Sequence, residues 1–128
     1  MSVRMIFDSG QQYSGRAFTD CMQGARTHAI SVVRAQRGMR WNSDDGVTLD
    51  ILAPSLPTLV DTGDDINENS IVTRLTYFDG SRTFRELFMG DAGEASEARL
   101  LASGADLHAD VRLCSTYSFA AGQAPIFN

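Results

Sequence analysis

A short apolar run in the stretch RELFMGDAGEASEARLL, residues 85–101, ends in Gly90-Asp91, and an acidic, alanine-rich segment follows at once. A carboxylate at the tip of a strand is placed as metal ligands and general bases often are. It acts only if other ligands or proton carriers converge on it. Catalytic zinc generally takes three protein ligands and a water at about 2.0–2.3 Å. The chain offers few imidazoles, with two histidines in 128 residues. His28 falls at the end of a predicted helix and His108 in a turn before a strand. Neither stands beside a serine and a carboxylate as a Ser-His-Asp arrangement requires, and neither has metal-ligand spacing to a cysteine.

The remaining chemistry-bearing residues have plainer readings. Asp61, Asp64, Asp65 and Glu68 cluster where a hard cation could be held by oxygen ligands. Their spacing fits no EF-hand loop, so a solvated acidic loop is the expectation. Asp8 and Ser9 follow a strand, where they are expected to cap a turn or helix. Arg34, Arg37 and Arg40 form a local basic patch, expected to solvate a strand edge and discourage pairing between molecules. Cys21 and Cys114 lie far apart, with no CxxC spacing, and read as small buried hydrophobes, although a disulfide stays open. No glycine-rich phosphate loop of the P-loop type is present.

Alternating and helical patterns then supply the elements that must position these groups. Residues 3–7, VRMIF, read as a buried strand. From about 15 to 28 a helix places Phe18, Cys21, Met22 and Ala25 on one face. Strands are predicted at 29–35, from Arg37 onward, and at 45–54, where Val47, Leu49 and Ile51 alternate with Thr48, Asp50 and Leu52. The proline- and acid-containing segment 54–68 is expected to be an exposed loop. NSIVTRLTYF (69–78) and FRELFMG (84–90) form a hairpin whose loop exceeds two residues. A helix starts after Asp91, with Glu94 and Glu97 near the positive end of its dipole. Its predicted apolar stripe is Ala95, Ala98, Leu101 and Ala102, and Gly104 ends it. A last strand covers 109–114, and the tail STYSFAAGQAPIFN has no clear period. The order implies helices on a mixed α/β sheet system, with hairpins providing antiparallel pairs, in a single domain over 1–128.

Composition narrows the function classes. Hydrophobic residues make up 43% and charged ones 21%, as in a globular chain. Eleven Lys and Arg against 16 Asp and Glu, a net charge of −5, argue against a general phosphate-binding surface. No apolar run approaches the ~20 residues of a membrane span. MSVRMIFDSG is no signal segment, which makes the cytoplasm the default compartment.

NENSIVTRLTYFDGSRTFRELFMGDAGEASEARLLASGADLHADV resembles a signature of metallo-β-lactamase-fold hydrolases, in particular the soluble domain of ComEC-type DNA-internalisation competence proteins. The marks are Asn69-Ser70 opening an apolar strand, Gly90-Asp91 closing its partner, an Ala/Glu-rich helix, GADL and a further strand. Upstream, IFDSGQQYSG, QRGMRW and DGVTLDILAP fit the same pattern, so the similarity spans about Val3 to Val111. It implies a partial αββα sandwich with a zinc or other divalent-metal site at one edge. Asp91 matches a carboxylate that can bridge two metals. Asn69 matches a position where many relatives have a His ligand, and where ComEC-type members have Asn as a weaker contact or an orienting group.

The family's His-x-His-x-Asp-His motif is expected before the segment matching VRMIFDSG, and a Gly-His-His-Gly-Ser after ADV. Neither motif occurs in this sequence, and the chain departs from the pattern from about 112. Three functions follow as expectations. One is a remnant or fragment of a metal-dependent hydrolase domain with little or no activity alone. Another is an active phosphodiesterase or nuclease-like hydrolase, acting on nucleic acid and completed by another segment or chain. The third is a non-catalytic interaction module that self-associates through open sheet edges.

Overall fold

The computed structural model describes residues 2–113, and the expectations for Cys114 and the tail lie outside them. Its elements are β1 (Met5–Asp8), α1 (Arg16–Thr27), β2 (Ser31–Arg34), β3 (Arg40–Asn42), β4 (Val47–Ala53), α2 (Asp65–Glu68), β5 (Val72–Phe78), β6 (Thr83–Phe88), α3 (Glu94–Ala102) and β7 (Val111–Leu113). Among the described residues they form a parallel pair, β1-β2, and a five-stranded sheet in the order β3-β4-β5-β6-β7. The described residues form a mixed α+β fold, with two sheets and three helices among them. No described helix is long and apolar enough to cross a membrane.

The β1-α1-β2 unit runs strand, helix, parallel strand, the order that a crossover helix allows. Phe18, Met22 and Ala25 turn one face of α1 inward, and Ala25 is buried. Cys21, expected inside, is an exposed free thiol on the flank of that face. β1 was also expected to be buried, yet Val3 and Met5 are exposed and the rest of the strand is half-buried. The reason is topological: β1 has one described neighbour, so apolar content alone does not bury it.

In the larger sheet β3, β4, β5 and β6 form an antiparallel meander, and β7 returns parallel to β6 after α3. Asp79 sets the β5-β6 loop: its Oδ1 accepts from Ser81 N and Arg82 N at 2.8 Å each, an Asx-type turn. The alternation predicted for β4 holds only in its first half. Asp50, Ile51, Leu52 and Ala53 are all buried, because a register shift between Ile51 and Ala53 brings Ala53 opposite Val72. A bulge of this kind inserts one unpaired residue and bends the strand.

The core lies where that bend meets α3, and comprises Leu52, Ala53, Val72, Leu87, Met89, Ala92 and Leu100, flanked by Leu107 and Ala109. The helix presents a different face from the one predicted. Ala92, Ser96 and Leu100, four residues apart, point into the core, while Ala98, Leu101 and Ala102 are exposed. Counting apolar residues favoured the alanine stripe. A sequence-distant carboxylate at the start of the helix overrides it, as described next.

Candidate functional site

Asn69 and Asp91 do come to the same end of the sheet, because β5 begins where its antiparallel partner β6 ends. The Asp91 backbone N–H donates to Ser70 Oγ at 3.2 Å. Gly90 makes the corner with φ +59°, and a Cβ there would sit 3.2 Å from Ser70 Cβ. Only glycine adopts that conformation readily this close to a neighbouring strand. Asp91 itself is exposed, and its carboxylate makes no hydrogen bond or ion pair among the described residues.

Asn69 has a different environment. It is 1% exposed, and both ends of its amide are used inside the protein. Its Oδ1 accepts from Leu59 N at 2.9 Å, and its Nδ2 donates to Leu59 O at 2.8 Å and Asp65 O at 2.7 Å. This pairing pins the 54–64 loop to the foot of β5, as a buried amide must be satisfied by partners. The cavity beside it is about 10 Å³, room for roughly one water.

The acidic segment folds on itself rather than forming the solvated loop expected. Asp64 accepts from Asn67 N and caps the single turn of α2. Asp65 accepts from Thr62 N at 2.8 Å and Thr62 Oγ1 at 2.7 Å, and these donors hold its carboxyl below the usual range. Glu68 reaches across to α3, where its Oε2 accepts from Ser96 N at 2.7 Å. Gly93, the N-cap residue, has no side chain to cap the helix. Glu68 takes over that role, and a Cβ on Gly93 would collide with its carboxylate. A negative charge there also meets the positive end of the helix dipole. This clasp fixes the rotation of α3 and so directs Ser96 and Leu100 inward.

The histidines stay apart from Asp91. His28 is the exposed C-cap of α1, and His108 is exposed, with its backbone N–H donating to Asp106 Oδ1. Asp8 closes a local turn by accepting from Gly10 N at 2.8 Å. Among the described residues no three His, Cys, Asp or Glu side chains are grouped to hold a metal.

A second constellation lies on the α3-bearing face of the sheet, and sequence reasoning missed it. Strand register puts Arg40 opposite Asp50 and Asp50 opposite Arg74. Arg40 Nε lies 2.6 Å from Asp50 Oδ1, and Arg74 Nη2 lies 3.2 Å from Asp50 Oδ2. Arg74 Nη1 lies 2.6 Å from Asp106 Oδ2 and 2.8 Å from the Asp106 carbonyl. Burial pushes the Asp50 carboxyl up, but the hydrogen bonds and charges of Arg40 and Arg74 outweigh it and hold the group below its ordinary value. The Asp106 carboxyl is held down by the His108 backbone N–H and by Arg74.

Arg37, from the loop before β3, donates from Nη2 to the Ser103 carbonyl at 2.9 Å, at the C-terminal end of α3. These groups line an open cleft of about 460 Å³, with Met39 and Leu52 as its apolar part and Ala105-Asp106 as its far wall. Arg40, exposed at the start of the edge strand β3 as expected, also borders this cleft, and Arg37 borders it from the preceding loop. Arg34 lies outside the cleft, in β2. The only sequence signal was a pair of opposite charges midway along two apolar strands, and pairing them needs the register.

Comparison with family models, with curated proteins and with solved structures found no match to this chain.

Proposed function

We propose that the chain carries part of the scaffold of a metal-dependent hydrolase domain similar to the soluble domain of ComEC-type competence proteins, and that by itself it performs little or no hydrolysis. The observation that carries this reading is the common end of β5 and β6, where Asn69-Ser70 and Gly90-Asp91 meet and leave the Asp91 carboxylate exposed. An αββα sandwich is supported by the asymmetry of the five-stranded sheet. One face bears α3, and the other carries the apolar residues that a second layer of strands would cover.

In this reading Asp91 is the carboxylate that would hold zinc or another divalent metal, and Asn69 orients the loop beside it. The described residues do not complete a ligand set, because no three His, Cys, Asp or Glu side chains among them are grouped to hold a metal. Three protein ligands are the usual minimum for catalytic zinc, so no catalytic step is assigned to this chain. Phosphodiester bonds in nucleic acid are the substrate class the resemblance suggests; fold likeness does not set the reaction.

The test is metal analysis of the purified protein combined with hydrolysis of bis(p-nitrophenyl) phosphate in zinc or manganese. Substoichiometric metal and no turnover above buffer are expected. Stoichiometric metal that is lost in Asp91→Ala, together with turnover, would replace this reading with the active hydrolase completed by other residues. An in-frame His-x-His-x-Asp-His before Met1 in the encoding DNA would favour the same replacement.

A second reading, an interaction module that self-associates, is favoured by the exposed Trp41, Tyr77, Phe84, Val111 and Leu113. Large exposed apolar patches commonly mark contact surfaces. A monodisperse monomer at high concentration in analytical ultracentrifugation would eliminate it.

A further inference from the structure

We propose that the cleft between the 37–40 segment and the 105–106 loop binds a small oxyanion-bearing molecule, a phosphate or carboxylate, through the guanidinium groups of Arg37 and Arg40. The site is independent of Asp91 and of any metal, and it stands whether or not the hydrolase reading does.

Four observations converge on it. The cleft has the volume of a small-molecule site, which typically falls in the range of roughly 300–1,000 Å³. Its cations outnumber its anions, with Arg37, Arg40 and Arg74 against Asp50 and Asp106, in a chain whose net charge is −5. Such a local positive field in an acidic protein draws an anion to one place on the surface.

The two carboxylates are already committed. Both oxygens of Asp50 are taken by Arg40 and Arg74, and Oδ2 of Asp106 is taken by Arg74. They therefore serve to fix the guanidiniums more than to repel a ligand.

The uncommitted donors belong to the two outer arginines. Arg40 uses its Nε, which leaves both Nη groups unbonded among the described residues. Arg37 uses Nη2 and keeps Nε and Nη1. Planar guanidinium forks present paired N–H groups that match the oxygens of phosphate and carboxylate.

Arg74 acts differently, as a positioning residue. Its two Nη atoms are both engaged, and its Nε is buried with no hydrogen-bond partner. It contributes charge at the floor and holds Asp50 and Asp106 in place. Met39 and Leu52 give the cleft an apolar lining for the rest of the ligand.

The experiment is a two-dimensional NMR titration of the full chain in a chelator, at constant ionic strength, with inorganic phosphate in one arm and citrate in the other. The backbone amides of Gly38, Met39, Ala105 and Asp106 are expected to shift saturably, with a Kd of about 1 mM for the bare anion. Arg37→Gln and Arg40→Gln should each weaken binding about tenfold while the spectrum stays dispersed. Arg85→Gln, on the same sheet face outside the cleft, should leave it unchanged.

Saturation by phosphate alone assigns a phosphorylated ligand, and saturation by citrate alone assigns a carboxylate. Shifts that grow linearly in both arms, or an equal loss in Arg85→Gln, would overturn the proposal.

Discussion

Asp50 and Arg74 lie on one face of the five-stranded sheet, Trp41, Tyr77 and Phe84 on the other, and exposure runs opposite to polarity. Asp50 is 8% exposed, whereas Trp41 is 46% exposed and Tyr77 and Phe84 are each 41% exposed. The charged face is closed by α3, the 37–40 segment and the 103–106 loop, so its ions are paired and partly desolvated. On the apolar face, the row Ile51, Thr73, Phe88 and Leu113 and the row Trp41, Leu49, Leu75, Glu86 and Val111 run across the strands. Burial there is deep at Ile51 and falls off toward Trp41, Phe84 and Leu113. Chain connectivity accounts for the inversion: α3 is tethered to β6 and β7 and covers the face it reaches, whatever the polarity underneath.

The sharpest way to break this comparison is to truncate one large residue on each face. Leu87, on the helix side, is 1% exposed in the core. Leu87→Ala should cost about 2–5 kcal/mol of stability in a urea melt, from lost transfer energy and the cavity left behind. Phe84 lies on the opposite face, and Phe84→Ser should cost less than about 1 kcal/mol. Equal losses for the two would mean that the apolar face is as thoroughly covered as the core.

Asp50→Asn probes the ionic row. At neutral pH it should cost about 1–3 kcal/mol, because Arg74 keeps its burial and loses a counter-charge. The sign with pH follows from the depressed Asp50 carboxyl. A carboxylate whose folded pKa lies below its unfolded value of about 3.9 stabilises the protein above that value. The contribution is lost as pH falls from there through the folded pKa. Stability should therefore decline below about pH 4, and the decline should be shallower in Asp50→Asn. An unchanged acid slope in the variant would show that Asp50 is not charged in the way the ion pairs require.

Much of the layout was legible in the sequence because it depends on local signals. Both long helices, the β5-β6 hairpin and the β4 strand were predicted within a few residues of where they lie. Asp79-Gly80-Ser81 announced a turn because an Asp side chain bonds the backbone just ahead of it. Gly90-Asp91 was identified as a strand terminus, and its meeting with Asn69-Ser70 follows once the two strands pair. The short α2 was not anticipated, because prolines and acids usually signal open loop, and its cap Asp64 looked like one more solvated acid.

The residues decided on their own where strands and helices begin and end, since propensity, alternation and turn chemistry act over a few neighbours. Which face of α3 turns inward, which charges become partners and which arginines meet in a cleft were decided only in three dimensions. Glu68 reaches Ser96 across 28 residues, and Asp50 reaches Arg74 across 24. Contacts at that range depend on strand register and on the bulge in β4, and no window of sequence short enough to read locally contains both partners.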